Sequence, residues 1–238
     1  MELAIDHLVE DDRYDLYDVY FSSDRILTTV THDPAIVTDW IKTIELLHQR
    51  RLHQLIVGLD VEWRPNIDSY QNPVATLQLC VGHRCLIFQL IYCQYIPHAL
   101  TEFLLNPRYE FVGVGIESDV EKLEKDYKLF VENVIDLRQL TADVYNSKSL
   151  RDAGLKRLCK SLLGREVEKP KHVAIGRWDK KRLDMDQVHY ACVDAFVSFL
   201  IGKRLTASGE GGIMNCWMWI KCIMLVLMLL FLSRLVSA

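Results

Sequence analysis

The chain is poor in the residues that break or staple a fold. Six prolines and eleven glycines in 238 residues exclude collagen-like and low-complexity architecture. Seven cysteines are present, but no Cys-x-x-Cys pair, so their spacing writes neither a zinc site nor a disulfide framework. Most sit in apolar runs such as Leu79-Cys80-Val81 and Ala191-Cys192-Val193, and they read as buried free thiols of a reducing compartment. Residues 1–24 are acidic and lack an apolar core segment, so no secretory signal is expected there. There is no internal repeat, and Gly113-Val114-Gly115 lacks the third glycine of a dinucleotide fingerprint. What remains is 50% apolar and 25% charged, enough for one sizeable core and too apolar for disorder.

The net charge of −4 is unevenly spread. Residues 1–68 hold 14 acids and 6 bases, whereas residues 148–182 hold 12 bases and 4 acids. A block that basic suits either a phosphate backbone or a solvated helix face. Tyr17–Phe21 and Arg25–Thr31 read as a hairpin. His32 or Asp33 then opens a helix with Pro34 in its first turn. Leu55–Trp63, Val74–Val81 and Cys85–Leu90 read as strands, the last two joined by Gly82-His83. Pro97–Leu105 reads as a helix, Phe111–Ile116 as a strand, Ser118–Tyr127 as a helix and Val134–Leu137 as a strand. Helices follow to Tyr145 and over Ser149–Leu163, then a basic loop over Glu166–Lys181, then a long helix Met185–Leu205 capped by Asp184. Strands in succession, followed by alternating strand and helix, predict an α/β fold with a mixed sheet flanked by helices.

Four carboxylates and a tyrosine carry the chemistry. Asp60 and Glu62 stand at i and i+2 of an apolar strand, so both face one side while Leu59, Val61 and Trp63 face the other. Two acids side by side repel each other and are costly to desolvate, and a divalent cation removes that cost. Asp119 sits at a strand-to-helix junction, where α/β sheets present functional groups. Taken singly, it also fits an ordinary first-turn acid favoured by the helix dipole. Tyr190 and Asp194 are one turn apart on a helix lined by Val188, Ala191, Val193, Phe196, Val197 and Leu200.

The order Asp60-x-Glu62, Asp119 after a Gly-x-Gly strand, and Tyr190-x-x-x-Asp194 resembles the three exonuclease motifs of the DEDD superfamily. Leu59–Pro65, Val114–Val120 and Gln187–Ala195 resemble the Werner-syndrome-type 3′–5′ exonuclease domain, of the DEDDy branch, and its stand-alone plant members above all. The likeness covers about residues 14–205. It implies an RNase H-like (DnaQ-like exonuclease) fold and a metal-dependent phosphodiester hydrolase that trims the 3′ end of DNA or RNA. It implies two Mg²⁺ or Mn²⁺ ions on Asp60, Glu62, Asp119 and Asp194, with Tyr190 orienting the attacking water. In a second branch of the superfamily a histidine stands five residues before the last acid, and His189 has that spacing. A five-residue helical step turns about 140° away from Asp194, against about 40° for Tyr190, which favours the tyrosine. Trp63 and Gln78 are expected to line the terminal nucleotide. Lys156, Arg157, Lys160, Arg177 and Trp178 are expected to track the strand. The alternative is a catalytically silent module of the same fold that binds nucleic acid or acts as a membrane-tethered adaptor.

The expected organisation is an acidic segment 1–13, an exonuclease domain 14–206, a small-residue linker 207–212 and a hydrophobic tail 213–238. Cys216–Leu232 is apolar apart from Lys221 and spans about 26 Å as a helix, near the lower limit for crossing a bilayer. Two settings are therefore expected: nucleus or cytoplasm, or a tail anchor holding the domain on the cytosolic side.

Overall fold

The computed structural model describes residues 4–65 and 71–209. The tail 213–238 and the end of the linker lie outside the described residues. Among those described, no helix is long and apolar enough to cross a membrane.

Eight strands form one mixed sheet in the order β1-β2-β3-β6-β5-β4-β7-β8. The hairpin of β2 (Tyr14–Phe21) and β3 (Asp24–Thr31) forms as expected, turning at Ser22 with a positive φ of 55°. The sequence reading has no strand before it, yet β1 (Ile5–Glu10) pairs antiparallel with β2. The signal was weak because only Ile5 of that strand is buried and the remaining five residues are exposed. Helix α1 (Pro34–Leu47) starts where Asp33 accepts the Ala35 N–H and Pro34 fills the first turn. Its Val37, Trp40, Ile41 and Ile44 are buried at helical spacing.

Strand β4 (Leu55–Glu62) is the axis of the sheet. It runs antiparallel to β5 (Thr76–Val81) and parallel to β7 (Tyr109–Gly113). Strand β6 (Arg84–Phe88) closes the hairpin with β5, and β8 (Val134–Asp136) adds in parallel beyond β7. One face is covered by α1, α2 (His98–Leu104) and α3 (Ile116–Tyr127), which enclose Val57, Leu59, Val61, Leu77, Leu79 and Phe111. The other is covered by α4 (Leu137–Val144), α5 (Leu155–Leu163), α6 (Lys171–Ala174) and α7 (Met185–Gly209). Leu59 and Val61 thus lie on the face opposite the acids of the same strand, as the alternation requires.

Several element boundaries move from the sequence reading. Helix α3 begins at Ile116 rather than Ser118, because Gly115 adopts a left-handed turn (φ 78°) that ends the strand early. Helix α5 begins at Leu155, since a 3-10 turn at Lys148–Leu150 and the N-cap Gly154 precede it. The basic loop is interrupted by α6, and α7 runs three residues into the stretch read as a linker. Helix α7 starts at Met185 as expected, with Asp184 immediately before it. The Gln187 side chain accepts the Asp184 N–H, and the Asp184 carbonyl accepts from Gln187 and Val188. The cysteines of the described region are free; Cys80, Cys85, Cys159 and Cys192 are buried, and Cys93 is half-buried.

Helix α7 is buried on nearly every side, as its apolar composition demands. It lies directly on β4. A Cβ on Gly58 would stand 2.0 Å from the Ala195 carbonyl oxygen and 2.8 Å from the Phe199 nitrogen. No rotamer change relieves contact with backbone, so Gly58→Ala must push helix and strand apart. It should cost about 3 kcal/mol or more in urea denaturation. Gly154→Ala, whose added carbon meets nothing within 4 Å, should stay within about 0.5 kcal/mol of wild type. Equal effects of the two substitutions would refute this account of the packing.

Candidate active site

The acids come together at the C-terminal end of β4, where α7 and the start of α3 converge. Asp60 and Glu62 face α7, and one carboxylate oxygen from each lies within 4.8 Å of one from Asp194. Asp119, in the first turn of α3, lines the same cleft as Asp60 and Glu62. The cleft is about 360 Å³ and is walled by Trp63, Pro65, Val114, Ser118 and Ala174. That volume falls at the lower end of ordinary small-ligand sites.

The Asp119 junction is held from behind. Asp136 caps α4 and accepts the N–H of Gly115 at 3.1 Å, while Arg138 closes on both Asp136 oxygens. The left-handed Gly115 turn is thereby fixed, and with it the direction in which α3 presents Asp119.

Burial and mutual repulsion dominate the electrostatics. Desolvation, then the negative charges of Asp60 and Asp194, pushes Glu62 up to about 10. Desolvation and Asp194 push Asp60 up to about 7. Asp119 rises to about 8 through desolvation and the charge of Asp60. Asp194 is raised by burial, against the opposing pull of Lys169 and the Tyr190 hydroxyl. Carboxylates that hold protons this tightly are short of positive charge. The donor set is all oxygen, the preference of hard divalent ions, so these residues fit the metal that the sequence implies.

Tyr190 is on the cleft side of α7, its phenol held above the usual range by burial and by Asp194. It is therefore a neutral hydroxyl donor and not a base. His189 points to the hairpin instead, where its ring meets the Tyr20 backbone, and burial holds it below the usual imidazole range. The helix geometry that favours the tyrosine over the histidine is thus the observed one.

Two of the side chains expected to contact nucleotide are buried. Trp178 is 0% exposed; its ring packs 6.0 Å from that of Tyr190 and its Nε1 donates to the Ala174 carbonyl. It has no free face for a base and serves as a prop behind the tyrosine. Gln78 is also 0% exposed. It stands directly across from Asp60, donates to Thr76, and leaves Oε1 without a partner among the described residues. Trp63 does line the cleft, with the Lys122 ammonium 5.3 Å from its ring centroid. Arg177 is exposed and paired with Asp179. Lys156, Arg157 and Lys160 are exposed on α5, Lys160 on Glu166, and none of the three lines the cleft.

Sequence reasoning missed Lys169. Its ammonium lies 2.5 Å from Asp194 Oδ2 and 5.2 Å from the Tyr190 ring centroid. Burial alone would lower its pKa, but Asp194 and Asp60 more than offset that and hold it above the usual lysine range. No spacing ties a loop lysine to a helical acid; the basic composition of the loop was the one available signal.

These shifts set a pH dependence for the metal-free protein. Unfolded, the acids titrate near about 4. Folded, they keep protons to about 7 at Asp60, about 8 at Asp119 and about 10 at Glu62. The folded state therefore binds more protons across that window, and stability declines as pH rises through it. In EDTA the melting temperature should fall from about pH 5 to about pH 9, and Asp60→Asn should flatten the portion below about pH 7. A melting temperature that climbs over this range would contradict the assignment.

The order of β6, β5, β4, β7 and β8, with β5 antiparallel, is that of the RNase H-like fold. Solved structures with the same fold include Escherichia coli RNase D, at 16% identity and a TM-score of 0.63, covering 76% of this chain and 45% of that one. The Nibbler EXO domain of Aedes aegypti is similar at 16% identity and a TM-score of 0.61, over 76% of this chain and 88% of that one. Among curated proteins, a 3′-5′ exonuclease of Arabidopsis thaliana is 35% identical over 153 residues, 63% of this chain and 52% of that protein. The bifunctional 3′-5′ exonuclease/ATP-dependent helicase WRN of Mus musculus is 33% identical over 160 residues, 65% of this chain and 11% of that protein. The chain thus matches about half of the plant protein and a small part of the helicase-bearing one. The family model described as 3′-5′ exonuclease matches residues 31–210, which include all four acids and Tyr190, and the chain belongs to that family.

Proposed function

We propose that the protein is a metal-dependent 3′–5′ exonuclease that removes nucleotides from the 3′ end of DNA or RNA by two-metal-ion hydrolysis. The observation that carries this reading is the convergence of Asp60, Glu62 and Asp194 within 4.8 Å, with Asp119 in the same cleft. A silent binding module would gain nothing from buried acids, which repel a phosphate and destabilise the fold. Asp60, Glu62, Asp119 and Asp194 would hold the Mg²⁺ or Mn²⁺ ions, which would lower the pKa of a bound water and offset charge on the scissile phosphate.

The protein's own groups do the positioning. Asp60 and Glu62 are fixed by the pleat of β4, Asp119 by the Gly115 turn and Asp194 by α7. The Tyr190 hydroxyl, kept neutral by its surroundings, holds the attacking water by a hydrogen bond. Water oxygen bonds to phosphorus and gives up a proton to solvent as the bond to the 3′ oxygen of the penultimate nucleotide breaks, and that oxygen takes up a proton from solvent. Trp63 at the cleft wall offers an aromatic surface to the terminal base.

The apolar run Cys216–Leu232 favours tethering of the domain to a cytosolic membrane face; without it the domain would act in nucleus or cytoplasm. A fusion of residues 207–238 to a fluorescent protein that stays soluble would reject the tether.

The full chain with end-labelled DNA and RNA oligonucleotides should shorten them from the 3′ end with Mg²⁺ or Mn²⁺ and not with EDTA. Asp60→Ala, Glu62→Ala, Asp119→Ala or Asp194→Ala should each abolish shortening. Tyr190→Phe should slow it about 10–1,000-fold, the scale of one positioned transition-state contact. His189→Ala should change it far less. Near-normal rates in any two of the acid variants would overturn the proposal.

A further inference from the structure

Lys169 is an unusual partner for the acids of the cleft. It stands in the loop between α5 and α6, and its side chain is 32% exposed, so its stem belongs to the surface. Yet its ammonium touches Asp194, whose side chain is 4% exposed. Its charge opposes the upward shifts of Asp60, Glu62 and Asp194 alike, while Asp119 receives that help from Arg138. An ion pair between two exposed groups contributes little. Here one partner is buried among other acids, and removal of the lysine leaves that charge uncompensated.

We propose that Lys169 is the resident counter-ion of the metal-free acid cluster and a positioning residue of the metal site: its ammonium holds Asp194 until a divalent ion takes that carboxylate and displaces it. The proposal rests on the metal-dependent reading above. A tethered ammonium satisfies one carboxylate, and a divalent ion satisfies several. The two compete for Asp194, so Lys169 weakens ion affinity while it protects the ion-free fold. Loss of the ammonium therefore has two opposite effects. The acids repel one another more strongly when the site is empty, and an entering cation meets a more negative cluster. A lysine that merely pinned its loop would affect stability equally with and without the ion and would leave affinity unchanged.

The test compares wild type, Lys169→Met and Lys169→Arg as full chains with Mn²⁺ alone, without nucleic acid. Lys169→Met should bind Mn²⁺ about 10-fold more tightly than wild type, the scale of removing one nearby positive charge. It should melt below wild type in EDTA, and the gap should close at saturating Mn²⁺. Lys169→Arg, which keeps the charge, should stay close to wild type. Equal Mn²⁺ affinity and equal metal-free melting in Lys169→Met and wild type would overturn the proposal. Should Lys169→Met fail to fold, wild type still decides. Acetylation of Lys169, followed by mass spectrometry, should rise about threefold or more on adding Mn²⁺, as the ammonium leaves its carboxylate. Unchanged or lower acetylation with Mn²⁺ bound would overturn it. Absence of any Mn²⁺ binding by wild type would instead overturn the metal reading itself.

Discussion

The active centre depends on one backbone contact, the seating of α7 on β4 at Gly58. With no side chain there, the helix approaches until the Ala195 carbonyl occupies the place a Cβ would take. Gly58 and Asp60 face the same side of the strand, and Asp194 immediately precedes Ala195. The contact that sets the distance between helix and sheet therefore also brings Asp194 against Asp60. Further along the helix, a Cβ on Gly202 would press on Val112 and Ile56, so α7 packs closely on β7 and β4 there as well. The register of the clustered acids is thus a packing result, fixed by close fit rather than by attraction between the acids themselves.

Attraction could not have done it, because the acids oppose their own assembly. Each is raised above its ordinary range, and the first cause for each is loss of water. Desolvating a carboxylate costs several kcal/mol even after relaxation. The fold holds them together with apolar burial elsewhere, in two cores on either side of the sheet. The Oε1 of Gln78, directly across from Asp60 and without a partner among the described residues, adds to the polar cost on the same face. Function resides where local rules of stability are broken and the surrounding structure absorbs the strain.

The basic loop shows how one segment serves both packing and chemistry. Trp178 is sunk into the core behind Tyr190, and Asp179 is held by Arg64, Arg177 and the Tyr92 hydroxyl. Gln89 binds the carbonyls of Lys180 and Lys181. These anchors fix the end of the loop leading into α7. The other end delivers Lys169 to the acids. Much of the positive charge in this region is paired, Lys160 with Glu166, Arg165 with Asp24, Arg177 with Asp179, Lys180 with Asp184 and Arg182 with Glu10, which leaves less of it for a continuous phosphate track.

Much of the site was legible because local geometry carried it. The i, i+2 relation put Asp60 and Glu62 on one side of a strand, and the i, i+4 relation put Tyr190 and Asp194 on one side of a helix. Helical rotation separated Tyr190 from His189 without any tertiary information. The mixed sheet followed from the order of apolar runs, turns and caps such as Asp33-Pro34 and Gly82-His83. Contacts across long sequence separations were not legible. Trp178 and Gln78 are polar-capable residues in a basic loop and beside an acid, and composition alone reads them as ligands. Their burial is decided by what packs over them. Strand β1 exposes all but one residue, so no alternating pattern announces it, and only pairing with β2 makes it a strand. Lys169 reaches Asp194 because α7 returns across the sheet beneath its loop. The sequence by itself determined which residues share a face, since that depends on the fixed periods of strand and helix. Which faces meet, and how closely, was decided by the tertiary structure, because it depends on the space left at Gly58 and on the charge brought in by distant segments.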